Sequence, residues 1–345
     1  MTLEVAVAAA LFVGVLAYAL FAGADFGSGF FDLTAGGATG GAEMRSLVDH
    51  SIGPVWEANH VWLIFCLVTW WTGFPQSFAA VTTTLFIPLV LALVGIVLRG
   101  AAFAFRKYAP SLGQARLYGA VFAGSSLITP FFLGTVAGGI ASGRVPADGY
   151  GDRWSSWLNP TSVFGGIIAV GTCAFLAGVF LCADARRTGH DALTGRLRAM
   201  TLGIGIVTGL VVFAALVPIQ KDAPTLAHGL ETQAAPLIVV SGIAGITTLV
   251  LLWKERFAVA RISAVAAVAT VVCGWGVGQY PWLLVDQVRI DDAGGARSTL
   301  VALVVAVGCA AVVVLPPLGA LFWFAQTQDH DAGAQREGTA PSVRG

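Results

Sequence analysis

The sequence predicts an all-α, polytopic membrane protein. Three observations carry this reading. Hydrophobic residues make up 57% of the 345 and charged residues 11%, against roughly 25% charged in an average soluble domain. Mean hydropathy is +0.81, more apolar surface than a water-soluble fold of this size can hide. Nine stretches are apolar over about the ~20 residues that a spanning helix needs. Ten-residue segments of alternating polarity, the mark of an outer-membrane barrel, are absent. A soluble enzyme, a nucleic-acid-binding module and a disordered chain are excluded. A net charge of zero points to no strongly acidic or basic partner.

The spans run approximately Val5–Phe31, Trp56–Gly73, Phe78–Phe105, Leu117–Ala141, Val163–Ala183, Met200–Ile219, Ala235–Trp253, Phe257–Gly278 and Thr299–Ala325. They form one integral membrane domain, 1–325. Spans one to four cover about 5–141, spans five to eight about 163–278, and the ninth about 299–325. The polar remainder, 326–345, is expected to be disordered. A four-plus-four pattern with one span left over is visible only weakly, with no repeat at the residue level.

Taken in order, the first span carries Glu4 but no early basic residue, since the first is Arg45. It is therefore expected to stay in the mature chain rather than be cleaved as a signal peptide. Gly23 and Gly27 give it a small-residue stripe for close helix packing. The second span opens with Glu57 and His60. The third has Thr82, Thr83 and Thr84 before Pro88, which frees the carbonyl of Thr84. The fourth has Ser125, Ser126 and Thr129 before Pro130, which frees the carbonyl of Ser126. Such patches can hold water along a proton path, or they are kinked helices with back-bonded hydroxyls. Gly165 and Gly166 in the fifth span, and Gly203, Gly205 and Gly209 in the sixth, again suit close packing.

Orientation follows from Lys and Arg in the loops. With the N-terminus outside, the cytoplasmic segments hold twelve: Arg45, Arg106, Lys107, Arg116, Arg186, Arg187, Arg196, Arg198, Lys254, Arg256, Arg336 and Arg344. The outer segments hold five: Arg144, Arg153, Lys221, Arg289 and Arg297. This predicts the N-terminus outside and the C-terminus in the cytoplasm. Nine of the ten Trp fall near span ends or in outer loops, Trp62 excepted, as an interfacial belt requires.

The five cysteines, Cys66, Cys173, Cys182, Cys273 and Cys309, all fall in spans and form no C-x-x-C pair. They read as small buried residues rather than as disulfides or a metal site. Of five histidines only His60 falls in a span. A membrane protein with two haems needs several axial ligands, so a partner must hold any redox cofactors.

Charges inside spans are costly, and each is a functional hypothesis. Asp25, Glu57, His60 and Arg99 stand out. Given the orientation above, three consecutive spans place them at similar depth on the cytoplasmic side. Glu57 and His60 share a helix face, as do Asp25, Gly29 and Asp32. The four form either an ion-pair cluster that joins three helices or a protonatable entry site, since carboxylates and His in series make proton relays. Asp32, Ser125, Ser126 and Thr129 are secondary candidates.

Three motifs resemble one known family. Gly23-Ala-Asp-Phe-Gly-Ser-Gly closes the first span, and Ser51-Ile-Gly-Pro-Val-Trp-Glu-Ala-Asn-His-Val-Trp-Leu opens the second. In the third, Pro88 is followed by Leu98-Arg-Gly-Ala-Ala-Phe-Ala-Phe-Arg. Together they resemble subunit II of the cytochrome bd quinol oxidases, including the cyanide-insensitive branch. The match in order and spacing covers roughly the first 110 residues.

The resemblance implies two four-helix bundles plus one peripheral helix, in a bacterial cytoplasmic membrane. It implies a haem-free subunit of an electrogenic quinol:oxygen oxidoreductase, which oxidises quinol, reduces O2 to water and takes protons from the cytoplasm. Haems b558, b595 and d belong to the partner subunit I. A structural quinone, lipids and a small single-helix accessory subunit are further expected companions. By position, Asp25, Glu57 and Arg99 match the family's proton-access residues. Many members have Asp-Gly-Asn followed by Glu or Gln where this chain has Glu57-Ala58-Asn59-His60. The rival readings are an ion-coupled secondary transporter and a purely structural assembly subunit. A transporter ordinarily repeats broken helices in both halves, and spans five to eight have no counterpart of Pro88 and Pro130.

Overall fold

Twelve helices follow one another in the computed structural model, which describes residues 2–37, 39–52, 56–106 and 108–337. They are α1 (Leu3–Thr34), α2 (Ala42–Ile52), α3 (Trp56–Gly73), α4 (Pro75–Thr84), α5 (Phe86–Arg106), α6 (Leu112–Ala141), α7 (Pro160–Arg187), α8 (Asp191–Asp222), α9 (Pro224–Glu231), α10 (Ala235–Trp253), α11 (Phe257–Gln279) and α12 (Arg297–Glu337). A small antiparallel hairpin, β1 (Trp282–Leu284) and β2 (Val288–Arg289), precedes α12. Among the described residues eight helices are individually long and apolar enough to cross a bilayer. The pair α2 and α3, bent by 53°, qualifies together as a ninth.

Local chemistry sets the ends. Thr2, Ser111 and Asn159 cap α1, α6 and α7 by accepting from the backbone N–H of Val5, Gln114 and Ser162. Pro160 opens α7, where a missing N–H costs nothing. In the 142–159 loop, Asp152 accepts from the backbone N–H of Ser155 and Trp154 and from the Ser155 hydroxyl, which holds its carboxyl below the usual range.

Three features depart from the expected spans. The third span breaks at Leu85 into α4 and α5. Pro88 falls in the first turn of α5, where no intrahelical donor is required, and the Thr84 hydroxyl turns to the Gly149 carbonyl at 3.0 Å. The helix that begins at Arg297 continues past the expected end of the span to Glu337. Its Gln and Ala residues propagate a helix already nucleated. Cys309 is exposed and Cys273 half-buried, while Cys66, Cys173 and Cys182 are buried, because α12 lies on the outside of the bundle. Gly53, Pro54 and Val55 of the second motif, with Lys107 and Arg344 of the charge count, lie outside the described residues.

Helix contacts sort the spans into two groups. α1 packs on α3 and α6, and α6 on α5; α7 packs on α8 and α11, which both meet α10. The groups join where α1 and α6 lie against α7, and α12 covers α1 and α3. Glycine makes the joint possible. A Cβ on Gly27 would stand 1.8 Å from the Cys173 carbonyl oxygen, and one on Gly134 would stand 2.4 Å from that of Gly165. Backbones this close leave no room for a side chain. Gly203 and Gly209 meet nothing within 4 Å, so they do not serve helix packing within this chain.

The two ends of the bundle differ in how polar groups join them. At the hairpin end Asp222 accepts from Arg144 at 2.5 Å and from the Thr161 hydroxyl and N–H at 2.6 and 3.0 Å. These bonds tie the α6–α7 loop to the ends of α7 and α8. At the opposite, basic end Asp184 accepts from Arg187, Arg261 and Ser51, and Arg196 donates to the last carbonyls of α1, Thr34 and Ala35.

The joint yields a test. Gly27→Ala drives a methyl into a backbone carbonyl that cannot yield, and overpacking of this kind costs about 1–3 kcal/mol. Its level in membranes is expected to fall several-fold, with Gly203→Ala unchanged. Quantifying both variants in membranes checks this, and equal levels would show that α1 and α7 do not meet at Gly27.

Candidate proton-access site

The first group of helices encloses a buried ion pair. Asp25 lies late in α1 and Arg99 late in α5, and their side chains are each 2% exposed. Arg99 Nη2 donates to Asp25 Oδ1 at 2.6 Å and to the Asp25 carbonyl at 3.2 Å, and Arg99 Nε donates to Ser126 Oγ at 3.0 Å. The guanidinium is held between two aromatic faces, Phe26 and Phe122, each 4.9 Å from its carbon to the ring centroid. Cation–π contact of this kind compensates part of the lost hydration. Ser28 donates to the Asp25 carbonyl at 2.6 Å and Ser126 to the Phe122 carbonyl at 2.6 Å.

Local sequence explains the placement. Gly29, one turn beyond Asp25, lets α6 approach, since a Cβ there would stand 2.3 Å from that of Ser126. Gly95, one turn before Arg99, does the same for Thr129. Thr129 is thus a packing residue that donates to the Ser125 carbonyl at 2.9 Å, and Ser125 donates to Val121 and Phe122 carbonyls. Of the three fourth-span hydroxyls, only Ser126 touches the charged pair.

The structure separates the other candidates. Asp32, two turns past Asp25, is buried at the basic end and accepts from Arg45 at 3.1 Å and Arg106 at 2.5 Å. Arg106 also reaches Asp49 at 3.7 Å. This second layer joins α1, α2 and α5. His60 is half-buried beside the ion pair, its ring 6.0 Å from Phe26 and 6.2 Å from Tyr18. Glu57 stands apart: it is exposed. The buried face of α3 carries Asn59, Cys66, Thr69 and Gly73, and Glu57 lies roughly 200° round the helix from Asn59. It shares the outer face with Val61, Ile64 and Val68. His60, half-buried, lies between these two faces.

Sequence reasoning missed four participants. Tyr18 is seven residues before Asp25, on the same helix face, and that spacing was a usable signal. Phe122 gave none, since an aromatic in a span is ordinary. Asp184 and Arg261, which pair at the basic end of the second group, lie 77 residues apart, and no local pattern links them.

Among the described residues no three His, Cys, Asp or Glu side chains gather as a metal site would need. An apolar cavity of about 340 Å³ lies between the two groups, bordered by Tyr18, Gly23, Cys173, Phe213 and Trp275.

Comparison with known proteins assigns the family. The family model of cytochrome bd terminal oxidase subunit II matches residues 3–325. Cytochrome bd ubiquinol oxidase subunit 2 of Bacillus subtilis (strain 168) is 32% identical over 234 residues, which covers 66% of this chain and 68% of the relative. Cytochrome bd-I ubiquinol oxidase subunit 2 of Escherichia coli (strain K12) is 28% identical over 214 residues, 59% of this chain and 54% of the relative. The chain thus spans about half the length of that second relative. The structure of bd oxidase from Geobacillus thermodenitrificans contains a chain of the same fold, with a TM-score of 0.78 and 24% identity over 93% of this chain and 98% of that one. Matched by the family model over nearly its whole length, this multi-pass membrane chain belongs to the cytochrome bd terminal oxidase subunit II family.

Proposed function

We propose that the chain is the haem-free half of a bd-type quinol oxidase in a bacterial cytoplasmic membrane. It positions a haem-bearing subunit I and gives protons a guarded route from the cytoplasm. One observation carries the proton route. Asp25 is buried and engaged through Oδ1, yet its Oδ2 has no partner among the described residues. A proton arriving at that free oxygen neutralises the carboxylate while the Arg99 hydrogen bond to Oδ1 stays in place.

Orientation and placement support the same reading. The basic end, with its excess of Arg, faces the cytoplasm. There Asp32, Arg45 and Arg106 form the outer layer, and Asp25 with Arg99 lies deeper. Glu57 lies at the other side of α3, on an exposed face that is otherwise apolar. A carboxylate facing lipid is expensive, so that face fits cover by subunit I. A proton then passes from the buried Asp25 to Glu57 at the subunit contact, with His60 between them.

Haems b558, b595 and d are assigned to subunit I. This chain has one histidine in the middle of its charged cluster, and that histidine lies among aromatic rings with no second axial ligand beside it. The inter-group cavity has the size and apolar lining of a small-molecule site, and it fits the ring and first isoprene units of a quinone. Trp275 Nε1, buried and unpaired, borders it and can donate to a quinone oxygen.

The test is quinol-driven oxygen uptake by the two-subunit oxidase. Glu57→Gln is expected to slow turnover while haem content stays near normal. A collapse in haem content would make Glu57 structural and end its part in the route. Arg99→Ala is expected to assemble poorly, because stranding a buried carboxylate costs about 3–5 kcal/mol. Full assembly with wild-type turnover would remove Arg99 from the account.

A further inference from the structure

Three buried polar atoms at the ion pair have no hydrogen-bond partner among the described residues: Tyr18 Oη, Asp25 Oδ2 and His60 Nδ1. The His60 ring lies near the Trp56 carbonyl, but no bond of normal geometry reaches Nδ1. Two of the three residues, Tyr18 and His60, flank one phenyl ring, that of Phe26. Tyr18 and His60 meet edge to face with centroids 6.2 Å apart. Phe26 stands 6.4 Å from Tyr18 and 6.0 Å from His60. Phe26 directly follows Asp25 and lies against the Arg99 guanidinium.

An unmade hydrogen bond in a buried site leaves the desolvation of that group uncompensated. Three in one neighbourhood require a common explanation. Their chemistry is complementary to water: the tyrosine hydroxyl donates or accepts, the carboxylate oxygen accepts, and the imidazole nitrogen does either according to its tautomer. Buried water typically makes about three such bonds.

The geometry points to an internal water site enclosed by Tyr18, Asp25 and His60, with Tyr18 as a positioning residue for proton transfer. This rests on the proton route proposed above and extends it. Asp25, protonated at Oδ2, gives that proton to the water as the water passes one of its own to the bare Nδ1 of neutral His60. One O–H bond breaks at Asp25 for the N–H bond formed at His60, and the imidazolium then releases its Nε2 proton toward Glu57 and is neutral again. Tyr18 keeps its proton and orients the water. The site spans the gap between the buried pair on α1 and α5 and the flank of α3 that leads to Glu57.

The experiment uses the assembled two-subunit oxidase with normal haem absorption as the entry condition. Quinol-driven oxygen uptake is measured in H2O and D2O for Asp25→Asn, Tyr18→Phe, His60→Gln and the Tyr18/His60 double variant. Tyr18→Phe is expected to slow turnover several-fold and enlarge the solvent isotope effect. Because both residues hold the same water, the double variant should be no slower than the slower single variant. Multiplying effects, or wild-type turnover in Tyr18→Phe, overturns the inference. Slow Asp25→Asn beside normal Tyr18→Phe sinks the water site and leaves the route; normal Asp25→Asn sinks the route itself. Should Tyr18→Phe not assemble, a cryo-electron microscopy map of the unaltered complex decides. Ordered water within hydrogen-bond distance of Tyr18 Oη and of Asp25 Oδ2 or His60 Nδ1 supports the site, and a map without it overturns it.

Discussion

A full charge pair buried away from bulk solvent constrains everything around it. Removing Asp25 and Arg99 from water costs several kcal/mol per ion. The chain compensates with a short charge-assisted bond, a second bond to a carbonyl, a serine acceptor and two aromatic faces. These partners come from α1, α5 and α6, so satisfying one guanidinium fixes the relative depth and rotation of three helices. The glycines are its corollary. Gly29 and Gly95 bring α6 close enough for Ser126 to reach Arg99, and Gly27 brings α7 to the other side of α1.

The same constraint explains why charge in this protein is layered. Asp32 with Arg45 and Arg106 closes the basic end of the first group, and Asp184 with Arg187 and Arg261 closes that of the second. The outer layers are partly exposed and have several cations per carboxylate. The inner pair is fully enclosed, and its carboxylate keeps one oxygen free. The outer layers therefore suit anchoring, and the inner pair suits a proton that must arrive without a counter-ion.

Much of the fold was legible in the sequence because hydropathy reports spans directly. The bounds of α3 and α10 agree with the residues read from composition, since Trp and Gly or Lys punctuate both. The break at Leu85 was half visible: Pro88 announced it, but a proline shows only that a helix is interrupted, not that a new one starts two residues earlier. In the site, Asp25 and Arg99 were legible as charges that hydrophobic spans do not tolerate. Glu57 was misplaced relative to them, because shared depth says nothing about rotation. That rotation is set by Asn59, Cys66, Thr69 and Gly73, whose burial against α1 depends on tertiary packing. Tyr18 was overlooked because a tyrosine is unremarkable until its hydroxyl is found enclosed and unpaired.

The central claim is that the Asp25–Arg99 pair both builds the site and serves its chemistry. The charge-neutral double variant Asp25→Asn/Arg99→Met, compared with Arg99→Met alone, tests it most directly. The account predicts that the single variant fails to assemble a haem-bearing oxidase, that the double variant recovers assembly and haem content, and that its turnover stays low. Recovery of turnover together with assembly would contradict the account and reduce the pair to packing.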